Sequence, residues 1–258
     1  MEAKENKEAC CPASAWAKIE NQDDEADSYN GIDTSIGTVE VPVYFTECPT
    51  ASNKAIVIFP DVFGITNRIR AIGDTLAAKG YHVMALDCYR GETVESNPNP
   101  DIKTWLAKFQ YDSVSADINA GFVYLSGLGV DQDNISAIGF CWGGWAIAKS
   151  ASEGVAWKCA ASPHPSTKIE NSIFGRDEEM MLSKVSMPFL LLPAGNDPDI
   201  LKPGSEVVKK LEETGGMSVC FDAMRHGWTT RGDLSRPAVK KDVEKALTLV
   251  SDFIEKEY

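Results

Sequence analysis

The hexapeptide Gly139-Phe140-Cys141-Trp142-Gly143-Gly144 carries the strongest chemical signal in the chain. It sets a cysteine between glycines two residues before and two after, where the apolar run Ile135 to Phe140 gives way to Trp145-Ala146-Ile147-Ala148. A strand that turns this sharply into a helix leaves no room for a Cβ beside its apex, so glycine must flank a nucleophile held there. Chance supplies roughly 0.04 such G-x-C-x-G matches in a chain of this composition, and about 0.003 with the extra glycine. A free thiol ionises near pH ~8.5, so a working cysteine needs a base, a positive helix terminus, or both. The helix expected to begin at Trp142 supplies the terminus. A buried structural cysteine at a tight turn is the bland alternative.

Only three histidines compete for the role of base. His82 lies inside an apolar run and reads as a satisfied core histidine. His226, in Met224-Arg225-His226-Gly227-Trp228, follows the last expected strand and lies downstream of the cysteine, as a hydrolase base should. His164, in Ser162-Pro163-His164-Pro165-Ser166, also stands at a strand end. As the base it would leave the acids on the wrong side in chain order, so it reads as a substrate-facing residue, a neighbour of the site, or a plain loop residue. The acid is expected after the strand Pro188 to Leu192, where Asp197 and Asp199 compete. Asp197 is favoured because it stands nearer the strand end, where it could hold the imidazole tautomer. Backbone N–H groups of Trp142 and Val62 are the expected oxyanion donors.

The elements that position these residues are legible as alternation. Apolar runs Ala55 to Phe59 and His82 to Leu86 are of the kind that strands buried on both faces require. Between them Ile65, Ile69, Ile72 and Leu76 repeat at helical spacing up to Gly80. Further helices are expected at Ser113 to Leu125, Trp142 to Ser152, Gly204 to Glu213 and from about Pro237. Further strands are expected at Ile135 to Phe140, Trp157 to Ala161, Pro188 to Leu192 and Met217 to Asp222. Thr38 to Thr46 alternates, with Val39, Val41, Val43 and Phe45 on one face, and Pro42 marks it as an edge strand. The sum is an α/β fold with a mainly parallel central sheet flanked by helices, and ligands bind at the carboxyl ends of such strands. Nucleophile, acid and base in the order Cys141, Asp197, His226 match the α/β-hydrolase order.

Length and charge narrow the function classes. A chain of 258 residues with 43% hydrophobic and 24% charged residues fits one globular α/β core and excludes global disorder. The net charge of -13 repels phosphate backbones and anionic lipid, which disfavours a nucleic-acid partner. Residues 1–30 hold eight acids and three lysines and read as a polar arm; residues 31–258 read as the single domain. The start has no apolar signal core, and no run of 18 apolar residues exists, so no membrane is expected. Seven cysteines without C-x-x-C fit a reducing, cytoplasmic setting.

With these residues in view, the chain resembles the dienelactone hydrolase (carboxymethylenebutenolidase-like) family over about residues 31–258. The likeness rests on Asp61-Val62-Phe63-Gly64, Gly80-Tyr81, Leu86 to Gly91, the Gly139 to Gly144 turn, Gly195-Asn196-Asp197 and His226-Gly227. It implies a Cys141–Asp197–His226 triad that cleaves a small ester or lactone through a thioester, with no metal or cofactor. Bacterial relatives place at Asp61 a glutamate whose carboxylate exchanges partners with the nucleophile; aspartate is one methylene shorter, so Asp61 either takes that part or only orders the oxyanion loop. The resemblance also offers Arg90 and Arg231 as holders of a substrate carboxylate, with a surface ion pair the equal alternative for either. A competing reading makes Cys141 an oxidant sensor without hydrolase activity, with Cys10-Cys11 as companion thiols; a hydrolase acting on a larger acylated partner is a third.

Overall fold

The computed structural model describes residues 15–16, 29–96 and 101–258. Eight strands, β1 (Ile32–Ile36), β2 (Val41–Thr46), β3 (Ala55–Phe59), β4 (His82–Leu86), β5 (Ile135–Gly139), β6 (Ala160–Pro163), β7 (Phe189–Leu192) and β8 (Met217–Ser218), form one sheet in the order β1-β2-β4-β3-β5-β6-β7-β8. β1 and β2 run antiparallel to their neighbours, and every pairing from β4 to β8 is parallel. The described α-helices are α1 (Asn67–Ala77), α2 (Ile102–Leu106), α3 (Tyr111–Gly127), α4 (Trp142–Ser152), α5 (Ile169–Ser172), α6 (Glu178–Ser183), α7 (Glu206–Glu212), α8 (Trp228–Arg231) and α9 (Pro237–Lys256).

The apolar runs become doubly buried strands because each sheet face carries its own core. Val57, Phe59, Met84, Leu86, Ala137 and Leu191 face the core that includes α3 and α4 residues, whereas Ile56, Ile58, Val83, Ala85, Ile138 and Leu190 face α1 and α9. Successive side chains point to opposite faces, so a strand with helices on both sides must be apolar throughout. β3 pairs with β4 on one side and β5 on the other. The chain therefore reverses its direction of travel across the sheet at β3, and the carboxyl ends of β3 and β5 frame the crevice where ligands bind in such sheets.

Several expectations shift. The expected strand Thr38 to Thr46 begins only at Val41, because Gly37 (φ 69°) and Glu40 (φ 50°) form a turn that leaves Val39 exposed. Nor is it the edge, since β1 covers it. Pro42 is tolerated because it stands opposite Asp87, one residue past the end of β4, so the missing donor costs only a terminal bond. The strand expected at Trp157 to Ala161 lies three residues later at its start. Trp157 instead packs its ring edge-on against Phe59 and Phe122. The last strand shortens to Met217–Ser218, followed by a single bridge between Ala194 and Phe221. Helices α2, α5, α6 and α8 span six residues or fewer, too few to show a period in sequence.

Asp74 on α1 fastens the antiparallel end of the sheet. Its carboxylate accepts from Tyr44 Oη at 2.6 Å, Thr46 Oγ1 at 2.8 Å and Asn30 N at 2.8 Å. Burial, together with the Asp74 bond, pushes the Tyr44 phenol up to about 12. A phenol that titrates higher folded than unfolded stabilises the fold fully below its unfolded pKa of ~10, and that contribution disappears as pH rises through its folded value. Denaturant titrations should therefore show stability falling between pH 10 and about 12, with Tyr44→Phe flattening that fall; an identical slope in the variant would contradict the assignment.

Candidate active site

Three close approaches build the turn after β5. A Cβ on Gly139 would lie 2.4 Å from the Gly143 carbonyl, one on Gly143 2.2 Å from the Phe59 carbonyl oxygen, and one on Gly144 2.3 Å from Ser162 Oγ. Real side chains never pack so close, so the sheet admits α4 at this distance only with glycine at all three places. The apex residue bears the strain: Cys141 has φ 54° and ψ -112°, an uncommon conformation for a residue with a Cβ. Main-chain bonds hold it there, with Gly143 N donating to Phe140 O at 2.8 Å and Gly144 N to Cys141 O at 3.0 Å.

Around the thiol the loops from the next strands converge. His226, on the turn before α8, places its Nδ1 2.6 Å from Asp197 Oδ1, and its N–H donates to Asn196 Oδ1 at 2.7 Å. The other Asp197 oxygen accepts Ala194 N–H at 2.8 Å, so the carboxylate is fixed from both sides. A carboxylate can only accept here, which puts a ring proton on Nδ1 and points Nε2 inward. Nε2 lies 3.3 Å from Ser166 Oγ, and Ser166 Oγ lies 3.4 Å from Cys141 Sγ. Cys141, Ser166, Asp197 and His226 are all buried. Asp199 stands apart: its side chain is 93% exposed and pairs with Lys202 at 2.8 Å.

The loop after β3 closes the other side. Asp61 accepts from Phe63 N at 2.9 Å and Thr230 Oγ1 at 2.7 Å, and Arg231 Nε lies 3.2 Å from the same carboxylate. Arg231 is thus a buried partner of Asp61, with its guanidinium over the Phe63 ring at 4.7 Å. Val94 N–H donates to Val62 O at 3.0 Å, which fixes the Val62 peptide. Among the described residues no backbone carbonyl outside the regular helix and strand bonds takes the main-chain N–H of Val62 or of Trp142; the latter is one of the orphan donors of a helix start. His164 (φ 41°) places Nε2 2.5 Å from Thr229 Oγ1 and sets its ring edge-on to His226 at 5.0 Å. Arg90 is bound bidentately by Asp117 at 2.8 and 2.6 Å, beside Tyr89, whose ring packs on Trp142 at 4.9 Å.

Ser166 and Thr230 carry no sequence motif, and Asn196, though part of Gly195-Asn196-Asp197, has no role that sequence assigns; each becomes significant only through a loop contact. Trp16, in the arm, donates its main-chain N–H to His226 O at 3.0 Å, and its ring lies under Arg236; Cys10 and Cys11 lie outside the described residues. The open groove between α1 and α9, about 310 Å³ and lined by Ile72, Leu76, Val243 and Leu247, contains none of these site residues.

An eight-stranded, mainly parallel sheet flanked by helices, with a strained residue at the strand-to-helix turn, is the α/β-hydrolase fold. The chain belongs to the dienelactone hydrolase family, whose sequence profile matches residues 41–258. It is 26% identical over 259 residues to the carboxymethylenebutenolidase homolog of Mus musculus, covering 95% of this chain and 96% of that protein. Its fold is similar to a putative dienelactone hydrolase from Klebsiella pneumoniae (TM-score 0.67, 19% identity, 88% of this chain and 99% of that one). It is also similar to the metagenomic dienelactone hydrolase-like promiscuous phosphotriesterase P91 (TM-score 0.65, 15% identity, 89% and 98%).

Two outcomes follow from the geometry. Gly143→Ala should destabilise the protein by about 2 kcal/mol, roughly 4–8 °C in Tm, because the new Cβ meets main chain that cannot move aside; an unchanged Tm would refute the contact. Asp197→Asn should cost on the order of 10²- to 10⁴-fold in kcat, while Asp199→Asn leaves it unchanged; equal activities would remove both from the site.

Proposed function

We propose that the chain hydrolyses small carboxylic esters or lactones through an acyl-enzyme on Cys141. The observation that carries this reading is the unbroken buried line Asp197–His226–Ser166–Cys141 at the strained turn. Asp197 orients His226 and stabilises its protonated form; His226 is the base; Cys141 attacks the substrate carbonyl. The tetrahedral oxyanion is met by the N–H groups of Val62 and Trp142, each of which contributes about 3–4 kcal/mol to lowering the barrier. Collapse forms a thioester and releases the alcohol, which takes its proton from His226. Water, deprotonated by the same imidazole, then attacks the thioester and frees the acid.

The neighbours take supporting roles. Asp61, with Thr230 and Arg231, ties the oxyanion loop to the histidine loop, and in this arrangement Arg231 holds the enzyme's own carboxylate. Arg90, 40% exposed beyond its Asp117 pair, remains the candidate for a substrate carboxylate. His164 packs against the base and limits its rotation. Residues 31–258 form the catalytic unit.

The second reading, an oxidant sensor, rests on the same Cys141. Burial pushes Cys88 well up, Cys159 to about 11 and Cys220, also beside Asp222, to about 12, so these three thiols resist ionising and are poor companions for such a sensor.

A panel of aryl esters and carboxylated lactones tests the proposal. Cys141→Ala should keep the wild-type circular dichroism spectrum and lose at least about 10³-fold in turnover. Retained turnover would sink the nucleophile assignment, and sulfenic acid formation without any ester cleavage would favour the sensor.

A further inference from the structure

We propose that Ser166 is a catalytic residue that relays the Cys141 proton to His226, an inference that rests on Cys141 being the nucleophile. Its hydroxyl touches both reacting atoms, 3.4 Å from the Cys141 sulfur and 3.3 Å from His226 Nε2, and the residue is 1% exposed.

The direction of the chain of bonds follows from Asp197. Because the carboxylate takes the Nδ1 proton at 2.6 Å, Nε2 of the neutral ring is an acceptor. Ser166 satisfies it with O–H and leaves its oxygen lone pairs to accept the thiol S–H. Activation then breaks the S–H bond and forms an O–H bond to Ser166, while the original Ser166 proton moves to Nε2. The products are a thiolate, an intact hydroxyl and an imidazolium, with no proton gained or lost. Both hydrogen bonds become charge-assisted, since the hydroxyl now donates to sulfur and Nε2–H donates to the hydroxyl.

The position of the hydroxyl is built by the turn itself. Ser166 N–H donates to Cys141 O at 2.9 Å, and Ser166 O accepts Ile169 N–H at 3.2 Å. The preceding Pro165 packs against Gly144, where a Cβ would come within 2.8 Å of the proline Cβ. His164, at φ 41°, reverses the chain as β6 ends, which delivers Ser166 to the thiol. Ser166 is therefore fixed to the nucleophile by main-chain bonds on the same few residues, as a relay requires.

The pH profile of Cys141 alkylation by iodoacetamide, read on the Cys141 peptide by mass spectrometry in the full chain, tests the relay without any substrate. Ser166→Ala and Ser166→Gly, with folds checked by circular dichroism, should raise the midpoint by one unit or more, about tenfold less alkylation at neutral pH. Ser166→Thr, which keeps the hydroxyl, should restore the wild-type midpoint. An unchanged midpoint in both hydroxyl-less variants would overturn the relay. So would an acyl ester found on Ser166 in wild-type protein incubated with an aryl ester, because Ser166 would then be a nucleophile in its own right. If wild-type protein cleaves no ester at all, the hydrolase reading fails, and the alkylation profile still decides the role of Ser166.

Discussion

The close approach of α4 to the carboxyl end of β3 is the constraint on which the site depends. With Gly143 pressed against the Phe59 carbonyl and Gly139 against Gly143, the chain has no freedom at its apex, and Cys141 takes a backbone conformation that few residues tolerate. Strain of this kind costs on the order of 1–3 kcal/mol and persists only where the surroundings over-determine it. Here β3, β5 and β6 do so together, through Phe140 N to Phe59 O at 3.0 Å and Cys141 N to Pro163 O at 3.5 Å.

From that fixed point the other groups assemble at the carboxyl ends of neighbouring parallel strands. β6 brings Ser166, β7 brings Asp197 and the turn beyond β8 brings His226, so consecutive loops place donor and acceptor in line. On the opposite side β3 brings Asp61 and Val62. The buried pair of Asp61 with Arg231 spans the two sides, and a buried pair held by further hydrogen bonds costs far more to break than an exposed one. A shift in the histidine loop is thereby coupled to the peptide expected to receive the oxyanion.

Much of this was legible in the sequence where a steric demand leaves a compositional mark. The three glycines of the turn are required by contacts under 2.5 Å, so the motif states the geometry directly. His226 was reached because so few histidines exist, and its bond to Asp197 rather than Asp199 follows from Ala194 N–H and Asn196 holding that loop. β1 was not legible: Ile32 is exposed, Asp33 and Ser35 are polar, and five such residues give no alternation. Ser166 was hidden because its contact depends on the reversal at His164, which no local pattern encodes. Arg231, open in sequence to either a substrate carboxylate or an ion pair, pairs in the interior with Asp61, which stands far away in sequence and so could not be read as its partner.

The claim at the centre is that one thiol carries the acyl group. Rapid-quench analysis of wild-type protein with an activated aryl ester tests it most directly, pairing the release of the phenol with the mass of each cysteine-bearing peptide. The expected result is a burst that approaches one phenol per chain, with the acyl mass on the peptide that contains Cys141. Steady turnover with no burst and no acylated Cys141 peptide, or the acyl mass on any other residue, would contradict it.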